Sequence, residues 1–355
     1  VVVDAVEAEL DRVHARIAGR FARAEPRARA REYLLGLTAG LARANGWTLA
    51  EWAQEVSPDG MQRLLRSADW DVDGVRDDLR DHVVARFGEA GGALVLGDAG
   101  FAKRGDRSAG VHRQRRGADG RVENCQVGVF LAYSSARGRA LVDRELHLPD
   151  PWVDDPVRRA AAGVPDRVGS ATVARRGAEM VERALGAGVP FRWVAGGGEH
   201  GRDARLRVWL EQRDLPHVLV VDGDAPSVGA DGGVTSAGEL VDALPAGAWR
   251  RAGEGVWARV ALRAPQRPGR ARWLLARRDA TGVTPHLCYG PRRATLLELV
   301  SAASACGHAE DCLRRADARA GLGQYQVRSW RAWHAHVTLS MLADAWLATC
   351  GAEAG

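Results

Sequence analysis

The chain has 355 residues, 46% hydrophobic and 27% charged, enough for two or three domains and too apolar for a disordered chain. Arg, Asp or Glu interrupts every apolar run before membrane-spanning length, and five cysteines, an odd number spread from Cys125 to Cys350, exclude a disulfide framework. The net charge of +5 favours polyanionic partners, but only Lys103 among the 50 basic residues is lysine, a bias that GC-rich coding produces as readily as selection for phosphate contacts.

The opening VVVDAVEAELDRVHARIAG predicts an amphipathic helix without the basic start and apolar stretch of a signal peptide, so a cytoplasmic location is expected. Helical spacing continues through ARAREYLLGLTAGLARANGW, TLAEWAQEV, SPDGMQRLLRSADW with Ser57 as N-cap, and DVDGVRDDLRDHVVARFGE. Residues 1–91 thus predict a helical domain of a kind that often contacts DNA.

The pattern then changes. GGALVLGDAGFAK predicts a buried strand, and RVENCQVGVFLAYSS and GRALVDRELHLP two more about the turn SARG, an antiparallel start to a sheet. SATVARRGAEMVERALGAG predicts a helix ending at Gly188, and PFRWVAGG, RDARLRVWLEQRD and PHVLVVDGD a β-α-β unit. Residues 225–284, rich in Gly, Pro, Arg and short strand-like pieces, predict a β-rich insertion. A strand HLCYG follows, then two long helices, TLLELVSAASACGHAEDCLRRADARAG and WRAWHAHVTLSMLADAWLATC. The order predicts an α/β fold with an RNase H-like mixed sheet, its core divided between residues 92–224 and 285–355, rather than a doubly wound parallel sheet.

Three local motifs carry two readings each, and a fourth carries one. GGGEHG at residues 196–201 satisfies G-x-G-x-x-G and has Asp222 downstream, so it is either a nucleotide cradle or glycine accumulated where ligands were lost. Cys306, His308 and Cys312 lie within CGHAEDC, as metal ligands or as small core residues. Lys103, Arg104, Arg107, Arg113, Arg115 and Arg116 form a basic run, a DNA-backbone contact or a solvated loop. Trp330, Trp333, His334 and His336 open an apolar helix and fit core packing.

The stretches NGWTLAEWA, SPDGMQRLL, DAGFAKRG, GRVENCQVGVFLAY, WVDDPVRRAAAGVP, GRDARLRVWLEQRDLPHVLVV, LPAGAWRR and GLGQYQVRSW, in order over nearly the whole chain, resemble a DDE transposase of a bacterial insertion sequence. The resemblance is to the group with an insertion before the final catalytic helix. It implies a helical DNA-binding region, an RNase H-like core, DNA as partner and three carboxylates holding two Mg2+ or Mn2+ ions about 4 Å apart. The first carboxylate falls at Gly97 or Asp98, the second at Gly197 and the third at Glu310. A family pattern Tyr-x2-Arg-x3-Glu-x6-Lys reads Ala303, Cys306, Glu310 and Asp317 here.

Three functional readings follow. The first is a DNA-binding transposase homologue with an impaired or lost strand-transfer site, Asp98 and Glu310 being the remaining candidate metal ligands. The second is a repurposed enzyme taking a small molecule into a cleft lined by Asp98, His112, Glu199, His200, Cys306 and Glu310. The third is an active transposase with a shifted catalytic set, Asp98, Glu199 and Glu310. No membrane partner is expected, and a homodimer stays open.

Overall fold

The computed structural model describes residues 2–116 and 120–352, with the backbone alone at residues 2–5, 116, 351 and 352. Apolar residues at helical spacing build α1 (Val2–Ile17), α2 (Ala24–Leu37), α3 (Gly46–Trp52), α4 (Asp59–Arg66) and α5 (Val72–Phe87). The stretch ARAREYLLGLTAGLARANGW does not stay helical throughout. After Leu37 the Thr38 hydroxyl bonds back to the Leu34 and Leu35 carbonyls, and Gly40 adopts a φ of 69°. Asn45 then caps α3 in a reciprocal box with Thr48. The cap of α4 is Pro58, not Ser57, because the helix begins one residue later than the Ser-Pro-Asp signal suggests.

Beyond the helices come β1 (Ala93–Ala102), β2 (His112–Arg116), β3 (Arg121–Ser135) and β4 (Gly138–Leu146), then α6 (Asp150–Val153), α7 (Pro156–Ala162) and α8 (Val173–Gly186). The chain continues through β5 (Trp193–Gly196), α9 (Gly198–Arg202), α10 (Ala204–Gln212), β6 (His217–Val220), β7 (Pro226–Val228), β8 (Val234–Ser236) and α11 (Ala237–Asp242). It closes with β9 (Arg250–Ala252), β10 (Gly255–Ala261), β11 (Arg270–Asp279), β12 (Gly282–Pro291), α12 (Leu296–Ser304), α13 (His308–Ala320) and α14 (Trp330–Ala352). The single long helix expected over TLLELVSAASACGHAEDCLRRADARAG is therefore two, separated by a 3-10 turn at Ala305–Gly307.

The chain divides into two units, one of Val1–Gly88, Asp98–Thr172 and Ala309–Gly355, the other of Glu89–Gly97 and Val173–His308, and β1 contributes to both. In the first unit β3 neighbours β1 and pairs antiparallel with β2 (His112↔Cys125) and with β4 (Ser135↔Gly138), the latter about a two-residue turn. Here α14 packs against β4, α5, α2, α4 and α1 and is buried along most of its length. Such a helix is apolar over most of its surface, as HVTLSMLADAWL is, and the polar His336, Thr338, Ser340 and Asp344 within it are buried.

In the second unit β1 pairs parallel with β5, and β5 with β6, as the β-α-β pattern requires. β12 then runs antiparallel to β6, and β11, β10 and β9 follow it in the same sheet. Val221, Val241, Leu262, Leu274 and Leu287 bury a core beneath α11. Antiparallel β3 and β4 before β1, with parallel β5 and β6 after it, make the fold RNase H-like. No helix among the described residues is long and apolar enough to cross a membrane.

Candidate functional site

In open α/β sheets, ligands gather beyond the carboxyl ends of parallel strands. β1 and β5 pair within the second unit, where the register runs from Ala93↔Trp193 to Leu96↔Gly196 and the pairing then ends, midway along β1 and at the carboxyl end of β5. The next residues along the two strands are Gly97, buried, and Gly197, half-buried. Gly197, which the resemblance assigns to the second carboxylate, and Gly97, one of the two alternatives for the first, therefore come abreast with no side chain at either.

The surrounding glycines differ from Gly197. Gly198 has a φ of 55°, and a Cβ on Gly201 would lie 1.7 Å from the Val220 carbonyl oxygen. A Cβ on Gly196 would press within 3.2 Å of Leu96. Gly197 has an extended φ of −145°, and its nearest prospective contact is Val220 Cβ at 3.4 Å, so a side chain fits there. The G-x-G-x-x-G spacing thus serves the seating of α9 on β6. Asp222, the would-be ribose acceptor, takes a 2.7 Å hydrogen bond from Arg202.

His200 on α9 is fully buried, and neither imidazole nitrogen has a hydrogen-bond partner of good geometry. Its Nδ1 and Cε1 press against α8 where Gly177 leaves room, each 2.9 Å from where a Cβ would stand. Burial lowers its pKa to about 4, opposed by the nearby Gly97 backbone, so the ring is neutral. Glu199 is partly exposed and paired with Arg202 at 3.1 Å. Asp203 caps α10, accepting from the Arg205 and Leu206 amides.

In the first unit, Asp98 is half-buried and follows Gly97 on β1, so strand alternation sends the two positions to opposite faces. Glu310 sits in the first turn of α13 with Oε2 buried and unpartnered. Burial holds its carboxyl above the usual range, with Asp311 adding to the effect and Arg314 opposing it. That orphaned oxygen suits a cation, but the donor set around the family's positions does not. Among the described residues no group of three or more His, Cys, Asp or Glu is placed to hold a metal ion. The residues present therefore do not fit a three-carboxylate, two-metal centre.

The remaining motif residues are structural. Cys306 is buried on the 3-10 turn with its thiol donating to the Val218 carbonyl at 3.4 Å, and burial pushes the Cys312 thiol up to about 11. Asp317 accepts from the Gly323 amide at 2.8 Å, fixing the turn after α13. His336 bonds Tyr33 and the Gly321 carbonyl, and the Trp333 indole donates to Tyr325.

The basic run divides. The Lys103 ammonium lies 3.6 Å over the Tyr325 ring, and burial lowers its pKa to about 8. Arg104 and Arg107 are exposed in the following loop. Arg113 and Arg115 are exposed on one face of β2, alternating with Gln114, whose amide bonds the Gly110 and Cys125 carbonyls. His112, partly buried, begins that strand, and the Arg116 side chain lies outside the described residues. The run is thus a loop and a strand rather than one solvated loop.

Arg107 also lines a cleft of about 830 Å3 in the first unit, with Trp47, Arg66, Arg158 and Arg328. Trp47, Arg66 and Arg328 belong to none of the local chemical motifs of the sequence. Their signal was positional, since they lie in or beside NGWTLAEWA, SPDGMQRLL and GLGQYQVRSW, which match in order but are far apart in the chain.

A sheet with the antiparallel pair β3 and β4 on one side of β1 and the parallel strands β5 and β6 on the other is that of the RNase H-like class of nucleic-acid-processing proteins. Over residues 16–238 the sequence matches the family described as DDE superfamily endonuclease, and the chain belongs to that family. The match takes in Gly97, Asp98, Gly197 and Glu199 and ends before Glu310. The chain is therefore transposase-like, of a nuclease family that implies DNA as substrate and typically uses divalent metals. No curated protein matches it significantly.

Proposed function

We propose that this chain is a DNA-binding member of the DDE family that has lost the two-metal strand-transfer centre. The observation that carries the reading is the pair Gly97 and Gly197, abreast where the pairing of β1 with β5 ends, with no side-chain ligand atom on either. A two-metal clamp needs carboxylates to hold both ions against their mutual repulsion, and weakening even the outer support of a metal ligand costs 10–100-fold in affinity or activity. Glu199 is a poor replacement, because it stands two residues beyond Gly197 on α9, where its carboxylate is partly exposed and turned to Arg202. Exposed Arg104, Arg107, Arg113 and Arg115 on a chain of net charge +5 support retained contact with the phosphate backbone.

Two assays test the reading. In a gel-shift series the chain is expected to bind duplex DNA at low salt and to weaken steeply as salt rises. With Mg2+ or Mn2+ it is expected to nick none. Metal-dependent nicking that disappears in Glu310→Ala overturns the lost centre, and absence of any shift at low salt overturns DNA binding.

A further inference from the structure

We propose that the arginine-lined cleft of the first unit holds an unstacked nucleotide of a single-stranded DNA segment, with Trp47 as stacking platform and Arg66, Arg107 and Arg328 on the flanking phosphates. The proposal rests on the reading that the chain binds DNA, and it names the form of DNA and the surface.

Arginine in this protein is commonly paired. Arg20 holds Asp78, Arg144 holds Asp73, Arg270 holds Asp214, Arg272 holds Glu211 and Arg315 holds Asp344. Arg66 from α4, Arg107 from the loop after β1 and Arg328 from the loop before α14 depart from that habit. Each is exposed, and none makes a side-chain hydrogen bond or ion pair with a described residue. Yet three distant segments bring them to one cleft. Among the described residues the only carboxylate lining it is Asp106, and Arg158 beside it is occupied with the Asp106 and Val111 carbonyls. Three uncompensated guanidinium forks about one concavity suit phosphate oxygens, which they bind in bidentate fashion.

The indole decides which form of nucleic acid. Trp47 is 67% exposed and lines the same cleft as the three arginines, so its ring is open to a planar partner there. Its backbone is fixed, because its amide donates to the Asn45 cap at 2.9 Å. Met61, Leu65 and Tyr325, all buried, give the same cleft an apolar floor. A volume of about 830 Å3 lies within the range of small-ligand sites, roughly 300–1,000 Å3, and admits a splayed base with its sugar but no duplex. Bases in a duplex are stacked on one another and present no π-face to an indole, whereas single strands do.

The test measures anisotropy of a labelled oligothymidylate and of a duplex of equal length, with wild type, Trp47→Ala, Trp47→Phe and the three single Arg→Ala variants. Trp47→Ala is expected to weaken single-strand binding about tenfold or more and duplex binding little, with Trp47→Phe restoring most of the loss. Each arginine variant is expected to lower the single-strand salt slope by about 0.7. Unchanged melting temperatures establish that these exposed substitutions leave the fold intact. Duplex binding with no single-strand binding, or equal effects of Trp47→Ala on both, overturns the cleft while leaving DNA binding standing. No binding of either DNA at low salt overturns the general reading with it.

Discussion

Gly197 and Gly201 are four residues apart and answer to different constraints. Replacing Gly201 with alanine drives a Cβ into the Val220 carbonyl oxygen, where it would lie 1.7 Å away, so α9 or β6 must shift. Overpacking of this kind costs about 2 kcal/mol or more, and Gly201→Ala is expected to lower the melting temperature by several degrees. Gly197→Ala meets nothing closer than 3.4 Å in an extended backbone and is expected to melt within about a degree of wild type. Equal melting temperatures for the two variants would sink this account. The letters GGGEHG cannot make the distinction. A glycine required by a left-handed φ or a close approach reads the same as one standing where another side chain would fit. His200 reads as a cleft-lining residue in the sequence and is instead fully buried, since an imidazole among glycines belongs to no period that announces burial.

At the scale of elements, legibility followed local chemistry. The Thr295–Glu298 capping box is visible as T-x-x-E before an apolar run, and it forms as spaced, with the Thr295 hydroxyl accepting from the Glu298 amide. Thr295→Ala is expected to cost about 1 kcal/mol in urea unfolding. The 3-10 turn that separates α12 from α13 has only Gly307 as a hint, because tertiary packing sets the break. β2 was hidden among arginines, its polar alternation being that of an edge strand whose inner face is Gln114 rather than a hydrophobe. For α14 the apolar content was plain, but its polar residues acquired meaning only from partners remote in sequence. Asp344 is 1% exposed and receives both forks of Arg315, at 2.8 and 2.7 Å. Asp344→Ala strands that guanidinium against α14 and is expected to destabilise by about 3 kcal/mol. The double variant Asp344→Leu with Arg315→Met should recover most of the loss. A single variant as stable as wild type would show that the pair contributes nothing.

Across the whole molecule, His82, His200, His217, His286 and His336 are buried, and burial lowers each pKa to about 4. In the unfolded chain the same rings take up a proton near pH 6.5. Between those values the unfolded state binds more protons than the folded one, so stability is full above about pH 6.5 and falls as pH drops toward 4. Each ring contributes a slope of at most about 1.4 kcal/mol per pH unit. Acting together, five rings can exhaust a stability of about 5–15 kcal/mol before pH 4 is reached. Among the carboxylates, Glu310, held above the usual range by burial, opposes the histidines in this window as one group against five, and those held down titrate below it. Asp214, held down to about 2 by its Arg270 hydrogen bond, loses its contribution only as pH falls from the unfolded carboxylate value near 3.9 through about 2. Urea midpoints taken from pH 8 to pH 4.5 are therefore expected to be level at first and then to decline with a slope steeper than one proton allows. Calorimetry at pH 5.5 in buffers of different ionisation enthalpy counts the protons directly. An uptake of several on unfolding is expected, reduced by nearly one in His200→Gln, and an uptake near zero would mean that the rings are already charged in the folded chain.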